Sequence, residues 1–248
     1  MIEQEKPRSE LILPDVSPAK QLWLRRVLRV FLEGLTSEII VNGLENIPQT
    51  GSYIVAANHL GWVEAPVLLL TFPRWIHFMT KAETLQNPYL GPVTRQMGMF
   101  PVRREELDLQ ALRTAAGLLK AGEVLGMMPE GTRGRRGGEE ALKEAKEGTI
   151  LIGYKTKVPI VPVAVWGPEN VFPLIEEKGV GLRELACFQK PPINVNIGKV
   201  FEEHLQVGPI LRREERNQLA TELMLRIKDL LPTEYHGIYA QGASNYSG

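Results

Sequence analysis

A chain of 248 residues with 29 Lys and Arg against 29 Asp and Glu carries no net charge when its four histidines are neutral. That balance argues against a dedicated nucleic-acid binder, where a basic excess is expected, and a composition of 44% apolar and 23% charged residues excludes disorder throughout. The single cysteine, Cys187, excludes an intramolecular disulfide and a cysteine-cluster metal site, and it fits a reducing compartment.

Residues 1–19 are polar, contain Pro7, Pro14 and Pro18, and read as a flexible arm. Met1–Ser9 is charged and no apolar core follows it, so no signal peptide is expected. Residues 20–35 read as an amphipathic helix. Leu24, Val27, Leu28, Phe31, Leu32 and Leu35 share one face, and Arg25, Arg29 and Glu33 lie on the other. With Trp23 near its start, such a helix suits a membrane surface as well as it suits docking on a domain, because periodicity does not say what covers the face.

Residues 36–232 are expected as one domain. Glu38–Asn42 and Ser52–Ala57 read as strands, Ala65–Leu70 as a helix, and Trp75–Met79 as a strand in which His77 is a packing or edge residue. Asn87–Met97 reads as a helix, Met99–Val102 as a strand, and Leu107–Lys120 as a helix with the stripe Leu112, Ala115, Ala116 and Leu119. Val124–Met128 reads as a strand and Glu139–Lys157 as a helix with a polar first half. Pro159–Trp166 is an apolar strand whose Pro159 and Pro162 argue against a central place in a sheet. Ile193–Ile197 is a further strand. Glu214–Leu231 is a closing helix with Leu219, Leu223, Ile227 and Leu230 on one face, stopped by Pro232. Residues 233–248 read as a flexible tail. The nearest candidate for a membrane span, Tyr53–Phe72, is interrupted by Asn58, His59, Glu64 and Pro66 and is better read as strand, turn and helix.

Strands alternating with helices predict an α/β fold with a mainly parallel central sheet flanked by helices on both faces. Such sheets bind ligands beyond the carboxyl ends of their strands. Three chemically loaded segments each follow a predicted strand: His59, Arg103–Arg104 and Glu130–Arg136. The first lies in V-A-A-N-H-L-G-W-V-E-A-P, Val55–Pro66, with Glu64 five residues after His59. Residues five apart on a helix point about 140° away from each other. The pair can meet if His59 ends the strand, Asn58–Gly61 turns, and Glu64 lies on the first turn of the next helix. A carboxylate bonded to one imidazole nitrogen fixes the tautomer and leaves the other nitrogen to accept a proton. This is the base and orienter of a serine-hydrolase triad without the serine, so the nucleophile would be a substrate hydroxyl. A hydrogen-bonded structural histidine would give the same local pattern.

The segment M-P-E-G-T-R-G-R-R-G-G, Met128–Gly138, combines four glycines with three arginines. Glycines let backbone N–H groups approach an anion, and guanidinium groups pair with phosphate oxygens. Glu130 could orient Arg133 or accept a bond from a substrate hydroxyl. The P-loop pattern is absent, and a charged surface turn would share this composition. Lys143 and Lys146 add positive charge nearby in sequence. A basic site in a neutral chain suits a small phosphorylated substrate better than a polyanion.

These segments, in this order, resemble the glycerolipid acyltransferase family, of which the 1-acylglycerol-3-phosphate acyltransferases are typical. The family's N-H-x4-D block is matched by Asn58, His59 and Glu64, with Glu where the family usually has Asp. Its glycine-to-arginine block is matched by Gly98–Arg104, its P-E-G-T-R block by Pro129–Arg133 without a change, and its apolar block by Val158–Val163. The resemblance covers Asn58 to about Val163. It implies an acyltransferase in phospholipid biosynthesis, moving a fatty acyl group from a thioester on coenzyme A or acyl carrier protein to the hydroxyl of a lysophospholipid of the lysophosphatidic-acid type. His59 and Glu64 would be catalytic, and Arg103, Arg104, Glu130, Gly131, Thr132 and Arg133 would bind the acceptor and its phosphate. Val158, Pro159 and Ile160 would help form the acyl or donor site. The resemblance implies no metal, no bound cofactor and no nucleic-acid partner, and a peripheral place on the cytoplasmic face of the membrane. Its alternatives are another lipid acceptor, or a weakly active or non-catalytic lipid-binding relative in which Glu64 holds the ring poorly.

Overall fold

The structure is a computed structural model and describes residues 14–61, 63–103, 108–134, 141–167 and 190–240. Seven strands form one sheet: β1 (Ile39–Asn42), β2 (Ile54–Ala57), β3 (Ile76–Lys81), β4 (Phe100–Val102), β5 (Val124–Met127), β6 (Ile160–Trp166) and β7 (Ile193–Ile197). Their order across the sheet is β1-β7-β6-β2-β5-β3-β4. The run β6-β2-β5-β3-β4 is parallel, β7 pairs with β6 antiparallel, and β1 pairs with β7 parallel.

The period-2 alternation of the central strands divides the core in two. Val55, Ala57, Val161, Val163 and Val165 face one cluster, which takes in helices α1 (Pro18–Leu35) and α2 (Glu64–Thr71). Ile54, Ala56, Leu125, Ile160 and Ala164 face the other, filled by α5 (Leu109–Lys120), α6 (Gly148–Thr156) and α7 (Arg213–Lys228). Two short helices, α3 (Ala82–Gln86) and α4 (Leu90–Gln96), join β3 to β4. Both sheet faces are thus covered, as a parallel sheet requires.

Several local expectations change. Pro162 sits in a central strand, between β2 and β7. Pairing with β7 starts one residue later, at Val163, and the Pro162 carbonyl accepts from Gly198 N–H at 2.9 Å. The missing donor therefore faces the end of β7, where it leaves no ladder bond broken. The helix expected over Asn87–Met97 starts only at Leu90. Pro88 holds Asn87 extended (ψ 129°), and the Asn87 side chain instead accepts from the N–H groups of Tyr89 and Leu90. In α5 the buried stripe is Ala111, Thr114, Ala115, Leu118 and Leu119, with Leu112 and Ala116 only half-buried.

The helix expected over Glu139–Lys157 is α-helical only from Gly148 among the described residues. Before it, the Lys143 N–H goes to the Glu130 carboxylate and the Lys146 N–H to the Pro129 carbonyl, so these donors are lost to a helical ladder. Residues 233–240, expected as part of a flexible tail, are folded against the domain. Thr233–Tyr235 and Gly237–Tyr239 form two 3₁₀ turns that bury Tyr235 and Tyr239, and Ile238 N–H bonds Leu142 O. Gly237 (φ 55°) lies so close to Leu142 that a Cβ would collide with its backbone. The arm shortens likewise: Val16 is buried and α1 begins at Pro18. The rest of the arm, Trp62, Arg104, Arg135, Arg136 and Cys187 lie outside the described residues.

Helix α1 docks on the domain and also leaves apolar residues exposed. Leu24, Leu28, Leu32 and Leu35 are buried on the domain. Trp23, Val27, Val30 and Phe31 remain 57%, 44%, 71% and 40% exposed, an apolar stripe turned outward. No helix among the described residues is long and apolar enough to cross a membrane.

Candidate active site

The site is built beyond the carboxyl ends of the two adjacent central strands, β2 and β5. β2 leaves the sheet through Asn58, which is fully buried. Its side chain accepts from Val165 N–H at 2.7 Å and donates to Val165 O at 2.8 Å, so it pairs with β6 as one more strand residue would. That anchors the turn carrying His59. The chain then folds into α2, whose first residue is Glu64.

Glu64 turns back over the preceding turn. Its Oε1 accepts from the N–H groups of Leu60 at 2.9 Å and Gly61 at 2.5 Å, donors of the turn that precedes the helix. Its Oε2 faces His59 Nδ1 at 3.8 Å, and neither atom has a hydrogen-bond partner within the described residues. The carboxylate is buried, while the His59 side chain keeps 13% of its surface exposed. His59 Nδ1 is itself buried, so that exposure belongs to the other atoms of the ring. The extra methylene of Glu over Asp therefore leaves the carboxylate on the imidazole. A closure of about 0.8 Å would turn the contact into an ordinary N–H···O bond, and such bonds are often long before substrate binds.

The P-E-G-T-R turn lies alongside. Glu130 is 2% exposed, with Oε1 accepting from His59 N–H at 2.8 Å and Oε2 from Lys143 N–H at 2.9 Å. Burial pushes its carboxyl up to about 7, aided by the nearby Glu64 charge and opposed by the two amides and Lys143. Its observed partners are these two backbone N–H groups, where the sequence suggested Arg133 or a substrate hydroxyl. Gly131 takes a left-handed conformation (φ 66°) that closes the turn onto Met128 O. Thr132 and Arg133 are exposed, and Gly134 N–H returns to His59 O at 2.6 Å. Lys146 lies across the turn. A Cβ on Gly131 would be 2.9 Å from its Cδ and 3.2 Å from its Nζ.

Arg103 is exposed at the same edge of the sheet, after β4. β4 lies three strands from β2, about 14 Å across the sheet, so Arg103 borders the site from a distance. Lys81, at the end of β3 between them, is exposed as well. The proposed donor residues Val158, Pro159 and Ile160 are placed elsewhere. Val158 and Pro159 lead into β6 and Ile160 begins it, at the amino end of the parallel strands, where Pro159 O accepts from Ile54 N–H and Ile160 pairs with Ile54. From Pro159 to Val165, the partner of Asn58, the strand runs six residues, about 20 Å. Those three residues set the strand and cannot line a pocket around His59. Sequence reasoning missed the anchoring by Asn58, and it missed Lys81 by ending the strand at Met79.

An imidazole facing a carboxylate beside a basic turn, at the carboxyl edge of a parallel sheet, is an arrangement that can draw a proton from a substrate group. The acyltransferase family model matches residues 38–166, just over half of the chain. A 1-acyl-sn-glycerol-3-phosphate acyltransferase of Bacillus subtilis is 35% identical over 144 residues, 58% of this chain and 69% of that relative. One of Borreliella burgdorferi is 29% identical over 153 residues, covering 61% of this chain and 60% of the relative. The crystal structure of the 1-acyl-sn-glycerophosphate acyltransferase PlsC from Thermotoga maritima shares the fold with a TM-score of 0.61 at 23% identity, over 85% of this chain and 78% of that one. This chain belongs to the acyltransferase family.

Proposed function

We propose that the protein transfers a fatty acyl group from a thioester, on coenzyme A or acyl carrier protein, to the free hydroxyl of a lysophosphatidic-acid-type acceptor in phospholipid biosynthesis. The observation that carries this is His59 Nδ1 facing the Glu64 carboxylate at 3.8 Å beside the Arg133 turn. Nε2 of His59 takes the acceptor's hydroxyl proton as that oxygen attacks the thioester carbonyl. The tetrahedral intermediate collapses, the carbon–sulfur bond breaks, and the imidazolium returns the proton to the leaving thiolate. An ester and a free thiol result. Glu64 holds Nδ1 protonated in the resting tautomer and stabilises the imidazolium between the two transfers.

Arg133 and Lys146 flank the turn and hold the acceptor phosphate, which places the hydroxyl at the base. Gly131 and Thr132 shape the pocket between them. The names of the relatives, which are 1-acyl-sn-glycerol-3-phosphate acyltransferases, support this acceptor class. The outward apolar stripe of α1, with Arg26 and Arg29 on the same helix, supports a peripheral place on the cytoplasmic face of a membrane, where a lipid acceptor resides.

Purified protein supplied with long-chain acyl-CoA and lysophosphatidic acid should release thiol in proportion to the phosphatidic acid formed. His59→Ala should lower turnover roughly 10²- to 10⁴-fold, the usual worth of a general base. Thiol release that ignores the acceptor, or wild-type turnover in the variant, would refute the assignment.

A further inference from the structure

We infer that Glu130 is a positioning residue for the base, and that residues 130–134 form a clamp joining the acceptor turn to the His59 backbone. The inference rests on His59 acting as that base. Both backbone polar groups of His59 are held by this one segment: its N–H by the Glu130 carboxylate at 2.8 Å, its C=O by the Gly134 N–H at 2.6 Å. Thr132 and Arg133, the exposed residues, lie between the two grips. An anion on the Arg133 side of the turn therefore meets a five-residue unit whose two ends hold the histidine. The second oxygen of Glu130 ties the same unit to Lys143 N–H at 2.9 Å. At 2% exposure the carboxylate has no surface left for a substrate.

The clamp requires a carboxylate. The ionised form offers a full acceptor to each of the two facing N–H groups, a carboxylic acid keeps only a weaker acceptor at its hydroxyl oxygen, and an amide turns a donor toward one of them. The charges around it are Glu64 from the start of α2 and Lys143 from the loop before α6, with the His59 backbone and ring between the two acids. Burial in this company raises the Glu130 carboxyl to about 7, so the grip on His59 tightens as the pH passes neutrality.

Glu130→Gln and Glu130→Asp test this in the full chain. Glu130→Gln should lower kcat about 10²-fold, the scale of a 1 Å misplacement, while the acceptor KM stays within about twofold of wild type. The acid limb of its kcat profile should lose one proton's slope. Amide hydrogen exchange at His59 should quicken about tenfold for the lost bond. Glu130→Asp keeps the charge and should recover part of kcat and of the lost slope. It also stands in for the test should the Gln variant not fold. An acceptor KM raised with kcat unchanged would make Glu130 an acceptor ligand and overturn the inference, as would unchanged kcat with unchanged His59 exchange. Activity in His59→Ala would instead refute the base itself. Wild-type behaviour in Glu130→Gln beside an inactive His59→Ala would refute the clamp alone.

Discussion

Glu64→Gln separates the carboxylate's charge from its shape. The imidazolium formed during transfer lies 3.8 Å from Oε2 in a largely buried setting. At an effective dielectric constant near 20, opposite unit charges at that distance attract by about 4 kcal/mol, which corresponds to about 10³ in rate. The amide should also select the wrong tautomer. The Leu60 and Gly61 N–H groups now bind Oε1, and they would keep the amide oxygen, turning the NH₂ toward Nδ1. A donor at Nδ1 moves the ring proton to Nε2, the atom that must be unprotonated to act as base. We expect kcat to fall about 10³-fold with little change in the acceptor KM, measured by thiol release from acyl-CoA at saturating acceptor. Glu64→Asp should fall between the two, because it keeps the charge but shortens the reach. Turnover in Glu64→Gln within a few-fold of wild type would refute the electrostatic account of the pair.

Arg133→Ala and Lys146→Ala should each raise the acceptor KM about tenfold or more, the worth of a charged hydrogen bond, with the donor KM unchanged. Equal loss for both substrates would remove them from the phosphate site. On α1, Val30→Asp should weaken co-sedimentation with anionic lipid vesicles and spare turnover on a short-chain, water-soluble acceptor, because Val30 is 71% exposed and supports no core. Unchanged co-sedimentation would discard the helix as the membrane contact. The Glu130 carboxyl, raised from 4.5 to about 7 in the fold, binds more protons folded than unfolded in that interval. Its share of stability is therefore lost as the pH rises from about 4.5 to about 7, by about 3 kcal/mol in all. Chemical denaturation across that range should show the fall, and Glu130→Gln should flatten it. An unchanged slope in the variant would assign the fall to other groups.

The α/β class, the mainly parallel sheet and the strand–turn–helix around His59 were legible because each rests on local pattern: short β-branched runs, a glycine in the turn, a helix after it. The contact between His59 and Glu64 was legible from spacing, since a five-residue gap meets only across such a turn. What was not legible depended on partners distant in sequence. Asn58 carries no local sign that it pairs with Val165, 107 residues on. Residues 141–147 have helical periodicity, yet Lys143 and Lys146 spend their N–H groups on the P-E-G-T-R turn. Pro162 looked like an edge residue because the end of β7 beside it cannot be read from β6 alone. Val158–Ile160 comes to the donor site only through the family resemblance, and which end of the strand such a block occupies is a matter of topology.

Three segments converge on the turn around His59, each holding a different part of it. β6 holds Asn58 through its side chain, residues 130–134 hold the His59 backbone, and α2 supplies the carboxylate for the His59 ring. The two acids at the site thereby differ in kind. Glu64 spends one oxygen on the backbone and leaves the other for the ring, whereas Glu130 spends both on the backbone. Losing the Glu64 charge would alter the ring's tautomer while its backbone stays in place. Losing the Glu130 charge would let the backbone shift while the ring keeps its partner. If chemistry limits turnover, both losses appear in kcat, but only the second should also quicken hydrogen exchange at the His59 amide. That difference makes the two carboxylates experimentally separable although both sit within reach of one histidine.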